Sequence, residues 1–548
     1  MMKSGIIKLV LPAFLLLAQI GHAQTPAPEK SDSNWFVYGL AAIALLIVIY
    51  IIVQVSENLM AIEAKRLGAD KSGANFSLFP QMRELIDSKR PAYLSGQPLF
   101  SLRRGFDIKL EGEAPTQINS KVKSTTYALT PANFRGIFPI PKMEVEVGSI
   151  VKAGDPLFHD KSQPDIKYAA PVSGEIVAIN RGEKRAIKEV VILADMDMKY
   201  REFKAPDLGK CTREELVAFL LDSGVWPMIR QRPFDVTPAP GDEPRDIFIS
   251  TFDTAPLAPD LNFVVEGRGE AFQKGLDVLG KLTAGKVYLG LDARGDNAPS
   301  AVFTQAAGVE KYWFRGKHPA GNVGIQIHHI KPINTGDKVW VMGVQEVITL
   351  GTLFTEGRFD TTRVVALAGA ELETPQYVKT YLGASLSDLL KGNLKGKHVR
   401  IISGDVLTGE HKAESGFLNY WDDQVTVIEE GDYFELFGWL IPGSLRPTLS
   451  RTYPNFLMPG AKFRADSNTH GEKRAFVVTG QYEQVLPMDL YPQHLMKAIL
   501  AGNFEKMEGL GILELSEEDI ALCEFACTSK QPLQHILRQG LDMMREQS

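Results

Sequence analysis

The sequence predicts a multidomain protein of mixed α/β and β class, closed by helices at its C-terminus and carried on one N-terminal transmembrane helix. Three observations predict it. Trp35 to Val55 is a run of 21 residues without a charge, about 30 Å as a helix and so enough to cross a bilayer core. Between Leu102 and Leu193 short apolar stretches are broken by glycines at turn positions, a β pattern. Further on, strand-length apolar runs alternate with helical ones, the rhythm of βαβ units. A length of 548 residues fits three or four domains. Lys and Arg total 60 against 66 Asp and Glu, a net charge of −6 with no long basic run, which argues against nucleic acid as a partner. A hydrophobic fraction of 44% excludes wholesale disorder, and long uncharged runs confined to the first 55 residues exclude a polytopic transporter. Three cysteines make no disulfide scaffold and cannot supply four thiolates to one iron–sulfur cluster.

At the N-terminus, Lys3 and Lys8 precede an apolar stretch from Leu9 to Ile20 and then Gly21-His22-Ala23. This is the layout of a secretory signal peptide over 1–23, cut after Ala23. Residues 24–56 then read as a periplasmic stub and the transmembrane helix, with Trp35, Tyr38 and Tyr50 placed for the interfaces. Lys65, Arg66, Lys71, Arg83, Lys89 and Arg90 follow the span, and only Lys30 lies between the leader and the span, so the soluble mass is expected on the cytoplasmic side of the inner membrane. Residues 57–100 read as a tether, with a charged helix over Glu57–Leu67 and a short one over Gln81–Lys89.

Residues 101–200 read as a β domain. Glu144 to Phe158 and Ala170 to Ile179 repeat one strand–turn–strand logic, with Gly148, Gly154 and Gly174 at turns and Val145 and Val147 facing inward. Such paired halves resemble the barrel-sandwich fold of biotinyl and lipoyl carriers. Lys161 would then sit at the hairpin tip as a lipoylation candidate, or as an ordinary solvated lysine.

Residues 201–345 read as a Rossmann-like domain: strands at Asp246–Phe252 and Lys286–Leu291 flank a helix carrying Phe272, Leu276, Leu279 and Leu282 on one face. The glycine pair Gly267 and Gly269 is a poor dinucleotide fingerprint, since Phe272 stands where a third glycine would allow helix and strand to close beneath the phosphate. In Lys317–His329, His318, His328 and His329 raise a metal hypothesis, but no carboxylate or cysteine completes a known spacing. Pro319, Gly321 and Gly324 read as a shaped loop entering a strand.

Over 346–485 the pattern is β-grasp-like: a helix at Gln345–Gly357, a strand at Arg363–Gly369, a short helix at Leu386–Leu390, a strand at Val399–Gly404 and further strands over 425–480. From 486 to 548 the pattern is helical, with Cys523 and Cys527 four residues apart, either two buried small hydrophobes or half of a metal site.

Nine strings then point one way: Arg104-Gly-Phe-Asp-Ile, Ala170-Pro-Val-Ser-Gly, Asp222-Ser-Gly-Val-Trp226, Arg230-Gln-Arg-Pro-Phe234, His318-Pro-Ala-Gly, Arg363-Val-Val-Ala-Leu-Ala-Gly, Ile402-Ser-Gly-Asp-Val-Leu-Thr-Gly409, Glu435-Leu-Phe-Gly-Trp439 and Leu522-Cys-Glu-Phe-Ala-Cys527. From about Leu102 onward the chain resembles the A-type subunit of the Na+-translocating NADH:quinone oxidoreductase (NQR complex). Residues 1–100 depart from that family's usual beginning. The resemblance implies a multisubunit pump that couples electron transfer from NADH to ubiquinone or menaquinone with Na+ export. Its flavins and iron–sulfur belong to the complex as a whole. The family is itself similar to the flavin- and NADH-binding subunit of respiratory complex I, which has a glycine-rich flavin loop and a cysteine-rich cluster motif, and this chain has neither. The expectation is a cofactor-free, β-grasp (SLBB-like) and Rossmann scaffold with no catalytic residue of its own, contacting quinone and the B-type membrane subunit. His318, Pro319, Gly321, Gly324 and His328 are the candidate quinone-contact or docking residues, with Trp313, Phe314 and Ile327 as apolar walls. The alternatives are an Rnf-type electron-transfer subunit, or a periplasmic membrane-fusion adaptor. The adaptor is disfavoured because only about a dozen residues separate Phe158 from Ala170, too few for a coiled-coil hairpin.

Overall fold

The computed structural model describes residues 34–66, 91–436 and 460–547, and within 437–459 only 446–449, 455 and 458. The signal peptide, the stub before Asn34 and the helix expected over Gln81–Lys89 lie outside the described residues. The chain divides into two units, Met1–Arg90 and Pro91–Ser548. The first contains a helix of 33 residues, Asn34–Arg66, so the charged stretch after Val55 continues the apolar helix instead of forming a separate one. Apolar side chains from Tyr38 to Val55 stand exposed along it. Counted over the described residues alone, no helix is long and apolar enough to cross a membrane.

The second unit holds three β systems and a helical cap. Its main sheet has six strands in the order Leu99–Ser101, Glu310–Arg315, Val287–Asp292, Asp246–Ser250, Val339–Val341 and Arg230–Arg232. All neighbours are parallel except the last pair. Alternation within Asp246–Ser250 sets the layers. Ile247 and Ile249 pack toward the helices Gly269–Leu282 and Val344–Glu356, while Phe248 faces Val323 and Ile327 on the opposite side. Phe272 is fully buried with its ring 5.4 Å from that of Phe303.

A second six-stranded sheet runs in the order Glu410–Lys412, Val399–Ser403, Gln424–Glu429, Thr362–Ala368, Gln376–Tyr381 and Ile118–Asn119. Thr362–Ala368 is buried at every residue, as a central strand covered on both faces must be. Among the described residues of 425–480, Gln424–Glu429 is the one strand of the sheet, the remainder contributing single bridges such as Leu110 to Phe463. The barrel-like domain pairs Thr126–Leu129, Ile187–Ala194, Gly174–Arg181 and Ile150–Val151, with a smaller sheet of Lys142–Met143, Pro156–His159 and Lys167–Ala169. Val147 is 62% exposed and does not face inward. The chain leaves the extended conformation there to turn at Gly148, whose φ is +88°. Lys161 lies exposed in the loop between Pro156–His159 and Lys167–Ala169. The C-terminal helices, including Pro492–Leu500, Glu517–Ala526 and Leu533–Gln547, close around a core that also takes in Ile108, Leu110 and Ile325.

Candidate functional site

In the main sheet the chain goes from Asp246–Ser250 outward to Val287–Asp292 and Glu310–Arg315, then returns to place Val339–Val341 on the other side of Asp246–Ser250. Strand order therefore reverses between those two strands, and open α/β sheets bind ligands outside the carboxyl ends at such a point. A cleft of about 390 Å³ lies there, lined by Ser250 and Phe252 after one strand and by Met342 and Gly343 after the other. Arg135 of the barrel domain, Asp422 and Asp423 of the second sheet and Glu518 of the C-terminal helices also reach it. Four parts of the unit thus meet at one cleft.

The His318 turn forms part of its wall, and its residues are mostly internal. The segment after it is a helix, Val323–Ile330, and not the expected strand. The β-branched run is misleading because the helix is buried on two sides, Val323 and Ile327 against the sheet and Ile325 against the C-terminal core. His318 is 3% exposed. Its backbone N–H donates to Asp107 and its carbonyl accepts from Phe106, so two of the distinctive strings are joined directly. Its Nδ1 lies 3.1 Å from Thr254 Oγ1, which accepts from Gly321 N–H, while its Nε2 is buried without a partner. Burial holds the imidazole below its ordinary pKa, against the pull of Asp405 and Asp107. Pro319 is buried, and Gly321 lines the cleft so tightly that a Cβ would meet Thr254 N and Phe252 O at 2.8–2.9 Å. A Cβ on Gly324 would lie 2.3 Å from the Asp519 carboxylate.

The three histidines do not converge. His328 Nε2 accepts from Asp489 N–H at 3.1 Å, which puts the ring proton on Nδ1, donating to Glu514 at 2.7 Å. His329 Nε2 donates to the Pro487 carbonyl at 2.8 Å, and burial holds this ring below its ordinary pKa. Among the described residues no group of three or more His, Cys, Asp or Glu could hold a metal ion. Trp313, Phe314 and Ile327 are buried in the sheet and its covering layers and offer no open wall.

The residues that sequence reading passed over are ionic. Arg232 is fully buried, donating from Nη1 to Asp519 at 2.9 Å and from Nη2 to Glu518 at 2.5 Å. Burial pushes Asp519 up to about 6, which still leaves it ionised opposite Arg232 at neutral pH. Burial would also raise Asp235, but Arg230, Arg135 and Arg232 outweigh it and hold that carboxyl well below the usual range. Arg363, fully buried, donates to Glu346. Arg232 was visible only as part of the Arg230–Phe234 string; nothing local marks a partner 287 residues away.

These groups decide what the cleft could hold. A flavin or dinucleotide presents phosphates, which need free backbone N–H groups at a helix N-terminus. The helix after Val339–Val341 begins at Gly343, and the Glu346 carboxylate folds back to 2.1 Å from where a Gly343 Cβ would stand. Asp253, Asp405, Asp422 and Asp423 line the same cleft. With Glu346 folded back beside Gly343 and four more carboxylates along the wall, the lining is a poor match for a phosphate-bearing cofactor. Cys523 and Cys527 do not fit a cluster either. Both are buried in the C-terminal core, Tyr482 donates to Cys527 Sγ at 2.8 Å, and burial pushes the Cys523 thiol well up.

Comparison with known proteins follows the same architecture. Three family models match: the NqrA N-terminal barrel-sandwich hybrid domain over residues 100–195, the NqrA second alpha/beta domain over 211–359 and the NQRA C-terminal domain over 364–414. The chain is similar to the A-type subunit of the Na(+)-translocating NADH-quinone reductase of Alcanivorax borkumensis, 39% identical over 447 residues, which are 81% of this chain and 98% of that protein. The corresponding protein of Yersinia pestis bv. Antiqua is 40% identical over 452 residues, 82% of this chain and 100% of that protein. That of Hahella chejuensis is 38% identical over 457 residues, again 82% and 100%. A crystal structure of an NAD+-reducing [NiFe]-hydrogenase in the air-oxidized state overlays at 12% identity, 56% of this chain and 55% of that one, with a TM-score of 0.29, too low to carry an argument.

Proposed function

Because the chain belongs to the NqrA family, the A-type subunits of the Na+-translocating NADH-quinone reductase, a translocase, we propose that it is a cofactor-free scaffold within that complex. The complex couples electron transfer from NADH to ubiquinone or menaquinone with Na+ export. This chain docks on the other subunits, including the B-type membrane subunit, and holds the neighbouring redox subunits in register. What supports the reading is the acidic lining of the cleft, where Glu346 folds back beside Gly343 and Asp253, Asp405, Asp422 and Asp423 add further carboxylates. The test is the purified full chain in detergent. No flavin absorbance and no bound nicotinamide should remain with it, although it co-purifies with the other reductase subunits. A flavin band at one per chain would refute the reading.

The helix Asn34–Arg66 serves as a single-pass anchor in the inner membrane, with the second unit on the cytoplasmic side. Its support is the uncharged run Trp35–Val55 and the basic residues that follow it. An anchor of this kind raises the local concentration of the chain near the complex without altering chemistry.

One observation favours a further role in quinone contact for the His318 turn. His318 Nε2 is a buried polar atom without a partner, beside a cleft wall made by Gly321. A quinone carbonyl is an acceptor of the kind such a donor could take. Pro319, Gly321 and Gly324 would then hold the turn in place, and His328 would tie it to the C-terminal helices through Glu514. Gly321→Val should lower quinone reductase turnover of the assembled complex while the complex still assembles. Unchanged turnover would leave the turn a purely structural joint.

A further inference from the structure

A second cavity, about 930 Å³, lies between the outer strands of the second sheet and the C-terminal helices. Its walls include Leu110 from the leading strap (the stretch between Leu99–Ser101 and Ile118–Asn119), Ile402 and Ile428 from the sheet, and Val485 and Phe525 from the helices. Its rim is basic. Arg400 and Arg464 are held by Glu430 and Glu371 of the chain itself. Arg474 and Lys530 also line the cavity, and among the described residues neither has a carboxylate partner. Both side chains are exposed, so they are available to an anionic partner.

The surface beside the cavity is unusually apolar. Phe434 is fully exposed, Leu436 is 84% exposed, and Val477 and Val478 are 54% and 51% exposed. Both stretches are fixed to the cavity rim. Tyr433 donates from its hydroxyl to Asp466 and accepts at its carbonyl from Asn468, both rim residues. Val477 and Val478 lie between the rim residues Arg474 and Gln481. Exposed apolar strips therefore lie on segments that reach the groove's rim, beside its cations. Strips of that kind mark interaction sites.

We propose that this groove seats a peptide segment of another subunit of the same reductase, one whose apolar side chains alternate with carboxylates. The proposal rests on the family reading, since it needs the complex to supply the partner. The apolar side chains fill the space between Leu110, Ile402 and Phe525 and cover Phe434 and Leu436, while the carboxylates meet Arg474 and Lys530. A peptide fits better than a compact small molecule because exposed apolar side chains also lie outside the cavity lining, at Phe434 and Leu436 and at Val477 and Val478.

The experiment uses the full chain, affinity-tagged, in its own membranes. A photo-crosslinking side chain replaces Leu436 or Val478, with Phe138 on the barrel domain as the control, exposed at 56%. Adducts from 436 and 478, but not from 138, are expected on one Asp- and Glu-bearing stretch of another reductase subunit. The double variant Arg474→Glu, Lys530→Glu should reduce retention of that partner about tenfold or more, as loss of charge complementarity at an interface does. The melting temperature of the chain should not change, because both side chains are at the surface. Leu436→Asp should act in the same direction without altering the basic rim. Adducts on lipid, on a second copy or within the chain itself would overturn the proposal, as would undiminished retention by both variants. If the unmodified chain retains none of the other reductase subunits, the family reading itself fails. If it retains them but crosslinks elsewhere, only the groove assignment fails.

Discussion

Gly324 shows how much one missing methyl can decide. Its hydrogen faces the Asp519 carboxylate, and that carboxylate is the partner of a fully buried guanidinium, Arg232. Gly324→Ala should force the two apart and leave a buried charge uncompensated, a cost of about 3–5 kcal/mol. Urea unfolding of the variant checks it, and a loss under about 1 kcal/mol would mean that the helix shifts aside cheaply. The buried imidazoles make a second prediction, about pH. His318 and His329 both sit below the ordinary value because of burial. The unfolded chain takes up those protons near 6.5, so the stability they confer is complete above about pH 6.5 and is lost as pH falls below it. Asp519, raised to about 6, has the opposite slope, because between roughly pH 4 and 6 the folded state binds its proton more readily than the unfolded one. His329→Gln keeps a donor for the Pro487 carbonyl and removes the titration, so its melting temperature should fall less steeply than wild type between about pH 6.5 and 5. The glycines and histidines of this region were legible in the sequence, but their partners were not. Thr254, Asp519 and Glu514 lie 64, 287 and 186 residues from the groups they contact, and such partners carry no local pattern.

Helix contacts follow the same logic at the next scale. The helices Gly269–Leu282 and Val344–Glu356 cross through glycines. A Cβ on Gly351 would stand 1.7 Å from the Ala271 carbonyl oxygen, and one on Gly275 would stand 2.2 Å from that of Val347. Gly351→Ala should therefore lower stability by about 3 kcal/mol. Gly280, on the same helix as Gly275, has nothing within 4 Å of the equivalent point. Gly280→Ala should raise stability by about 0.5–1 kcal/mol, the ordinary helix-propensity gain. Equal effects in thermal melts of the two variants would refute the packing account. Elements whose apolar runs have the length of their type were readable beforehand: the 13-residue helix Val344–Glu356 and the strands Thr362–Ala368 and Val399–Ser403 fall within a residue or two of their expected limits. Val323–Ile330 was not readable, because a helix buried on both sides loses the polar face that gives its period away. The path of the leading strap was hidden for another reason. Leu99–Ser101 pairs with Trp313–Arg315 and Ile118–Asn119 with Tyr377–Val378, and pairings so distant along the chain are set by the assembled sheets.

At the scale of the whole molecule the proposed function gives the chain two separate tasks, holding a complex together and staying at a membrane. The family relatives are matched over 98–100% of their length by about four-fifths of this chain, and the helix Asn34–Arg66 lies in a unit distinct from Pro91–Ser548. If anchoring is the first unit's work, the two tasks should be separable. Leu45, 61% exposed near the middle of the uncharged run, is the position where a charge costs most. On insertion scales an arginine at a helix centre costs about 2.5–3.5 kcal/mol, so Leu45→Arg should shift the chain from carbonate-washed membranes toward the soluble fraction in cells lacking the partner subunits. In cells that have them, the variant should remain with the complex, held by the second unit, and reductase turnover should be close to wild type. If the basic residues Lys65, Arg66 and Lys71 keep the following chain inside, a reporter fused after Ser548 should resist external protease in intact cells. Cleavage of the reporter would reverse the orientation. Loss of Leu45→Arg from assembled complexes would show that the anchor is part of the assembly contact and not a tether alone.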